Sequence, residues 1–237
     1  MFADVIVLAG GRSSRLGGVA KASLVRDERT LLEHAIAAAR PAGGRIVVVG
    51  PEDRDSESTD SMTADVRFTR ERPAFGGPAA AIAAGLDALR EADGVPAEFV
   101  VVLACDMPFA SAALAAVLDA AAHAAATTAD ERRVDGWVAL DETGRTQQLL
   151  AVYRVASLEG QITRLRAARQ WHDLAGLPVR HLIAGLELQP VTVPPGGAAD
   201  VDTWEDAERL GVIVAEESGA APTPGATLPG TSNEGSA

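Results

Sequence analysis

An α/β fold with a mostly parallel sheet, covered by helices on both faces, is predicted by three features of the chain. Short β-branched apolar runs recur at Val5-Ile6-Val7-Leu8, at residues 45–50 and at residues 98–104. Helix-spaced apolar residues fill the intervals between them. Strand and helix therefore alternate, and a strand–helix–strand repeat closes into right-handed βαβ units.

The first run ends at Gly10-Gly11, as a buried parallel strand does at its carboxyl end. Leu32, Ala35, Ile36 and Ala39 follow at i, i+3, i+4 and i+7 and predict the first helix. Ile82, Leu86 and Leu89 predict a second, and Leu114, Val117, Leu118 and Ala121 a third. Beyond about residue 130 the rhythm changes. Residues 136–140 and 149–153, joined by the turn Asp141-Glu142-Thr143-Gly144, read as a hairpin-like pair, so mixed strands are expected in this half. Helices over 159–168 and 203–210 flank an extended piece at 188–193, and Asp202 with Glu205 reads as the capping box of the last helix. Residues 52–65 carry six acids and one base and read as a solvated loop. Residues 215–237 are rich in Gly, Ala, Pro, Thr and Ser without periodicity and predict a disordered tail. One domain over 1–214 is expected, with its rhythm dividing it into a half at about 1–110 and a half at about 130–214.

Composition narrows the partner. The 237 residues are 47% hydrophobic, enough for a full core, and the formal charge of -12 disfavours nucleic acid and anionic membranes. A small molecule fits better. The single cysteine, Cys105, forms no internal disulfide, and Cys and His occur nowhere at metal-ligand spacing, which points to a reducing compartment. The first apolar run lies too near Met1 for a signal peptide and is too short to span a bilayer, so a cytoplasmic location is expected.

Three segments carry candidate chemistry. In the loop from Leu8 and Ala9 through Gly10, Gly11, Arg12 and Arg15 to Lys21, glycines allow close backbone approach and three cations supply positive charge, which suits a polyphosphate. A glycine turn with surface cations is the alternative. Asp106 stands just past the end of an apolar strand, where open α/β sheets bind ligands and where a carboxylate can hold Mg²⁺. It could also merely begin a turn before Pro108. The stretch from Glu71 to Gly76-Gly77-Pro78 leads into a helix whose amide-rich start could face a base or phosphate, and it serves equally as an ordinary connection. Cys105 has no histidine near it in sequence and reads as a packed thiol. His34, His123, His172 and His181 read as structural or exposed.

The loop resembles the L-A-G-G-x-x-x-R-[ML]-G-x-x-x-K signature of Rossmann-like nucleotidyltransferases, and most closely that of the molybdenum cofactor guanylyltransferases. Ala20 departs from it, standing where an aspartate commonly precedes the lysine. Cys105-Asp106-Met107-Pro108-Phe109 resembles the family's C-D-x-P-F motif, and Gly77-Pro78 its G-P-L-A-G element. The resemblance implies a three-layer α/β/α fold, GTP and molybdopterin as substrates, Mg²⁺ on Asp106, and transient contact with other proteins of molybdenum cofactor synthesis. It implies nucleotide contacts for Leu8, Ala9, Gly10, Gly11, Arg15, Lys21, Glu71, Gly77 and Asp106, with Arg15, Lys21 and Asp106 catalytic. The segment 147–154 is similar to the family's Q-P-L-F-A-L-Y-R strand, with Gln148 in place of proline, and segment 200–206 to its N-[IV]-[ND]-T-P-E-D motif. Acceptor contacts are thereby implied for Gln147, Arg154, Asp200 and Asp202, although Asp202 could equally serve only as a helix cap. Other enzymes of this fold, acting with CTP, on phospholactate or on sugar phosphates, and a non-catalytic nucleotide-binding homologue are the competing readings.

Overall fold

The computed structural model describes residues 1–11, 14–50, 65–127, 134–168 and 174–214. The calls on Arg12, His172, the tail 215–237 and all but the last residue of the segment 52–65 lie outside them. Strand β1 (Ala3–Leu8) is buried along its whole length. A hairpin of β2 (Val25–Arg26) and β3 (Arg29–Thr30) turns at Asp27 and Glu28, both in the left-handed region. Helix α1 (Leu31–Ala39) starts on Thr30, whose hydroxyl accepts from the Glu33 N–H while the Glu33 carboxylate accepts from the Thr30 N–H. There follow β4 (Gly43–Val49), β5 (Val66–Thr69), α2 (Pro78–Glu91), β6 (Phe99–Ala104) and α3 (Ala110–Ala126). The later half contains β7 (Gly136–Leu140), β8 (Thr146–Arg154), α4 (Val155–Ala167), α5 (Val179–Leu182), β9 (Leu188–Thr192) and α6 (Trp204–Arg209).

One seven-stranded sheet in the order β5-β4-β1-β6-β8-β7-β9 runs through both halves. The pairs β5·β4, β4·β1, β1·β6 and β7·β9 are parallel, and β8 runs antiparallel to both its neighbours. Strand alternation sorts the core into two layers. Val5, Val7, Val101 and Leu103 face α1 and α3 through Leu32, Ile36, Leu114 and Val117. Ile6, Leu8, Val100 and Val102 face α2 and α4 through Ile82, Leu86, Leu158 and Ile162. The fold is thus the three-layer α/β/α arrangement.

The expected elements are present, with shifted bounds. The helix expected at 159–168 begins at Val155, directly off β8. The hairpin partner expected at 149–153 is longer, starting at Thr146, and it inserts between β6 and β7. Strand β5, the β2–β3 hairpin and α5 were not anticipated, because two to four residues are too short to show a period. Among the described residues no helix is long and apolar enough to cross a membrane.

Strand β1 has β4 on one side and β6 on the other, which makes the β1–β6 boundary a topological switch point. Leu8 pairs with Ala104, and the Cys105 N–H donates to the Leu8 carbonyl at 3.0 Å. The loops that leave these two strands therefore share one cleft.

Helix α2 lies unusually close to the sheet at Gly85, where a Cβ would stand 2.7 Å from Ile6 Cγ2. Gly85→Ala should wedge the two layers apart and lower stability by about 1–3 kcal/mol, read as a reduced midpoint in urea unfolding.

Candidate active site

The cleft has a volume of 520 Å³, within the range of small-molecule sites. Leu8, Ala9, Gly10, Gly11, Arg15 and Lys21 line it from the first loop, Glu71 and Gly77 from the loop before α2 with Pro78 at the start of that helix, and Asp106 and Asp202 from the opposite side. Two 3-10 turns shape the first loop, one over Ser14–Leu16 and one over Lys21–Ser23. Leu16, Leu24 and Leu31 anchor it in a third small core with Val201, Ala207, Leu210 and Val212. This core brings the residues around Asp202 against Lys21. Ala20 precedes the second turn with no side-chain cap. The Ser23 N–H and hydroxyl both donate to the Ala20 carbonyl, at 3.0 and 2.9 Å, so the turn closes on that carbonyl without a cap from residue 20 and aims Lys21 into the cleft.

Lys21 Nζ donates to Asp106 Oδ2 at 2.8 Å and to Asp202 Oδ1 at 2.5 Å. Arg15 lies 3.7 Å from Asp202. Burial works to lower the Lys21 pKa, but the two carboxylates outweigh it and the net shift is upward, so the ammonium stays charged. The Val201 N–H donates to the Asp106 carbonyl at 3.0 Å, tying the segment before α6 to the end of β6. Asp106, Asp200 and Asp202 thereby converge, with one oxygen of each within 4.8 Å of the others. Burial, then the neighbouring Asp106 and Asp202 charges, push the Asp200 pKa up.

This donor set fits magnesium, a hard cation that takes oxygen ligands and is held by a few carboxylates together with substrate phosphates. Charge balance points the same way. The carboxylates of Glu71, Asp106, Asp200 and Asp202 outnumber the ammonium of Lys21 and the guanidinium of Arg15, so a polyphosphate entering here needs further positive charge.

Asp202 does not cap α6. The capping box lies one residue on: Thr203 Oγ1 accepts from the Asp206 N–H at 3.1 Å, and the Asp206 carboxylate accepts from the Thr203 N–H at 3.0 Å. The expected Asp202–Glu205 pairing is corrected by this one-residue shift, which leaves the Asp202 side chain to Lys21.

At the other end of the cleft, Glu71 is buried and Gly77 adopts φ 87°, ψ 177°, a conformation open in practice only to glycine. Pro78 then starts α2. Cys105 is buried and its pKa is driven up, mainly by burial and then by Asp106, so it is a packed thiol. His34 holds the Arg26 carbonyl at 2.8 Å, a structural contact.

Two acceptor candidates fall elsewhere. Arg154 pairs with Phe99 at the start of β6, about 17 Å along the strand from Ala104 at a rise of about 3.3 Å per residue. There its buried guanidinium pairs with Glu98, donates to the Val134 carbonyl at 2.9 Å and covers the Phe99 ring. It stands away from the cleft, because antiparallel β8 carries its end toward Phe99. Gln147 is on the cleft side of the sheet, but its amide donates to Asp141 at 2.7 Å and it does not line the cleft. Conversely, Phe75, Ala81 and Leu149 line the cleft without having been named as contacts, and Pro78 lines it as the start of the helix expected to face the ligand. Phe75 and Pro78 flank the Gly76-Gly77 pair, a usable signal. Leu149 had none, since its place depends on β8 inserting beside β6.

Comparison with known proteins now bears on the site. A family model described as the MobA-like NTP transferase domain matches residues 5–217. The chain belongs to that family. It is accordingly an enzyme, a nucleotidyltransferase. The transferase is 33% identical over 156 residues to the molybdenum cofactor guanylyltransferase of Acidiphilium cryptum, covering 65% of this chain and 68% of that one. Its match spans about half the length of the guanylyltransferases of Pseudomonas fluorescens and Ralstonia nicotianae, and 87% of that of Cupriavidus necator at 26% identity. Among solved structures it resembles molybdopterin-guanine dinucleotide biosynthesis protein A from Archaeoglobus fulgidus, with TM-score 0.59 and 19% identity over 87% of this chain and 95% of that one. It resembles 2-C-methyl-D-erythritol 4-phosphate cytidylyltransferase from Thermus thermophilus equally, with TM-score 0.59 and 21% identity over 89% and 98%. The two structures agree on the fold and differ in the base.

Two outcomes are expected for the transferase. Arg154→Ala should destabilise by roughly 2 kcal/mol, through the half-buried Val134 carbonyl that loses its donor and the packing removed from the Phe99 ring, while KM for both substrates stays unchanged in steady-state assays. Asp206 is held down to about 2, chiefly by Arg209 and the Thr203 hydroxyl. A depressed carboxylate stabilises the fold fully above its unfolded pKa of about 3.9 and loses that contribution as pH falls toward its folded value. The melting-temperature gap between wild type and Asp206→Asn should therefore close between pH 5 and pH 2.

Proposed function

We propose that the transferase moves GMP from GTP to the terminal phosphate of molybdenum-bearing molybdopterin, releasing pyrophosphate, with magnesium required. The observation that carries this reading is the meeting of the glycine loop with Lys21, Asp106 and Asp202 in one nucleotide-sized cleft. The names of the guanylyltransferase relatives support the acceptor and the base. Cytoplasmic operation on two small molecules, with only transient contact to other proteins of the pathway and none to nucleic acid or membrane, completes the proposal.

An acceptor phosphate oxygen attacks the α-phosphorus of GTP, the bond to the bridging oxygen breaks, and pyrophosphate leaves. A phosphate nucleophile arrives ionised, so no general base is needed, consistent with the absence of histidine from the described cleft lining. The glycine-loop N–H groups and Arg15 hold the triphosphate. Lys21 exchanges carboxylates for phosphate oxygens when the nucleotide enters, and its charge offsets the negative charge spreading over the phosphates. Asp106, with Asp200 and Asp202 beside it, would hold magnesium, whose charge lowers the cost of the same build-up. At the base end, the Glu71 carboxylate can accept from both the ring N–H and the amino group of guanine, a pair of donors on one edge that cytosine lacks.

A cytidylyltransferase is the second reading, favoured by the equal structural likeness to the Thermus thermophilus enzyme. Pyrophosphate release measured with molybdopterin and each triphosphate separates them. GTP should support turnover and CTP should not; preference for CTP would reverse the assignment of the base. Lys21→Ala and Asp106→Ala should each cut kcat by about 10²–10³, and full activity in both would show that neither side chain carries the chemistry.

A further inference from the structure

We infer that Phe75 is the face on which the nucleobase stacks, an inference that rests on the nucleotide-binding reading above. Phe75 has φ 59°, a left-handed backbone that a bulky residue seldom adopts and that clusters at ligand sites. Half of its surface is exposed although it belongs to the cleft wall. Among the described residues lining the cleft it is the one aromatic. An exposed aromatic held in an unfavourable backbone state, facing a cavity, has the makings of a binding face rather than a packing element.

The surroundings hold the ring in place. The Arg70 guanidinium carbon lies 5.6 Å from the ring centroid and supports the ring through a cation–π contact. The neighbouring Gly76 leaves little room for a side chain, since a Cβ there would stand 3.0 Å from the Pro73 carbonyl oxygen and from Ala80 Cβ. The loop is thus packed tightly against α2 immediately beside Phe75. Glu71, buried in the same cleft, stands four residues earlier, with Oε1 4.0 Å from where a Gly10 Cβ would be. A base lying flat on Phe75 would have its plane fixed, and its hydrogen-bonding edge could then be read by Glu71. The ligand class is a purine, whose two fused rings offer the larger stacking area.

The test is calorimetric titration of the full chain, in magnesium, with GTP and separately with inorganic triphosphate, which lacks the base. Phe75→Ala should weaken GTP binding about tenfold or more, as loss of one base–aromatic stack does, and leave triphosphate binding within about twofold. Phe75→Tyr and Phe75→Trp should retain GTP binding within about threefold, whereas Phe75→Leu, similar in volume but without a π face, should lose as much as Phe75→Ala. Phe75→Gly, which accepts the left-handed backbone, gives the same comparison should the alanine variant fold poorly. GTP binding unchanged in Phe75→Ala and Phe75→Leu overturns the inference and leaves the proposed function standing. Equal losses for GTP and triphosphate also overturn it, showing a collapsed loop. A wild-type chain that binds triphosphate but no nucleoside triphosphate more tightly overturns both.

Discussion

Parallel pairing between β1 and β6 runs to Leu8 and Ala104 and one bond further, where the Cys105 N–H meets the Leu8 carbonyl. That last bond aligns the ends of two strands separated by almost a hundred residues, so the glycine loop and Asp106 depart from one point. The outward winding of β4 and β5 on one side, and of β8, β7 and β9 on the other, leaves the space above this point uncovered. The cleft is a consequence of the winding, and the loops only furnish it.

A second constraint follows from charge. Three carboxylates gathered at one strand end repel each other, and the described structure relieves this with Lys21 between Asp106 and Asp202. The small core of Leu16, Leu24, Leu31 and Val201 holds both sides of this arrangement in register. In the function proposed above, a lysine so placed does two tasks in turn, balancing carboxylates before the nucleotide enters and phosphates afterwards. Ala20 fits this picture. The second 3-10 turn closes through the Ala20 carbonyl, so a side-chain cap is dispensable, and one fewer acid crowds a site already rich in them.

The α/β class, the strands near 5–8, 45–50 and 98–104, and three helices were legible because long apolar runs and helix-spaced leucines report burial directly. The glycine loop that lines the cleft was legible too, since close backbone approach demands glycine, a local requirement. Asp106 could be placed at a strand end for the same reason. The Thr203–Asp206 box was read one residue early because Asp202 and Glu205 repeat its acid spacing, and only the backbone geometry at Thr203 distinguishes them.

Composition and local pattern, then, determined the class of fold, the glycine loop and the acidic strand end, all of which depend on neighbours in the chain. The tertiary structure decided which distant residues meet. Asp200 and Asp202 join Asp106 through a backbone bond from Val201, Phe75 and Leu149 reach the cleft, and Arg154 is taken away from it. The physical reason is strand direction: β8 pairs antiparallel to β6, so its start lies beside the site and its end beside Phe99, an outcome fixed by long-range pairing that no local spacing encodes.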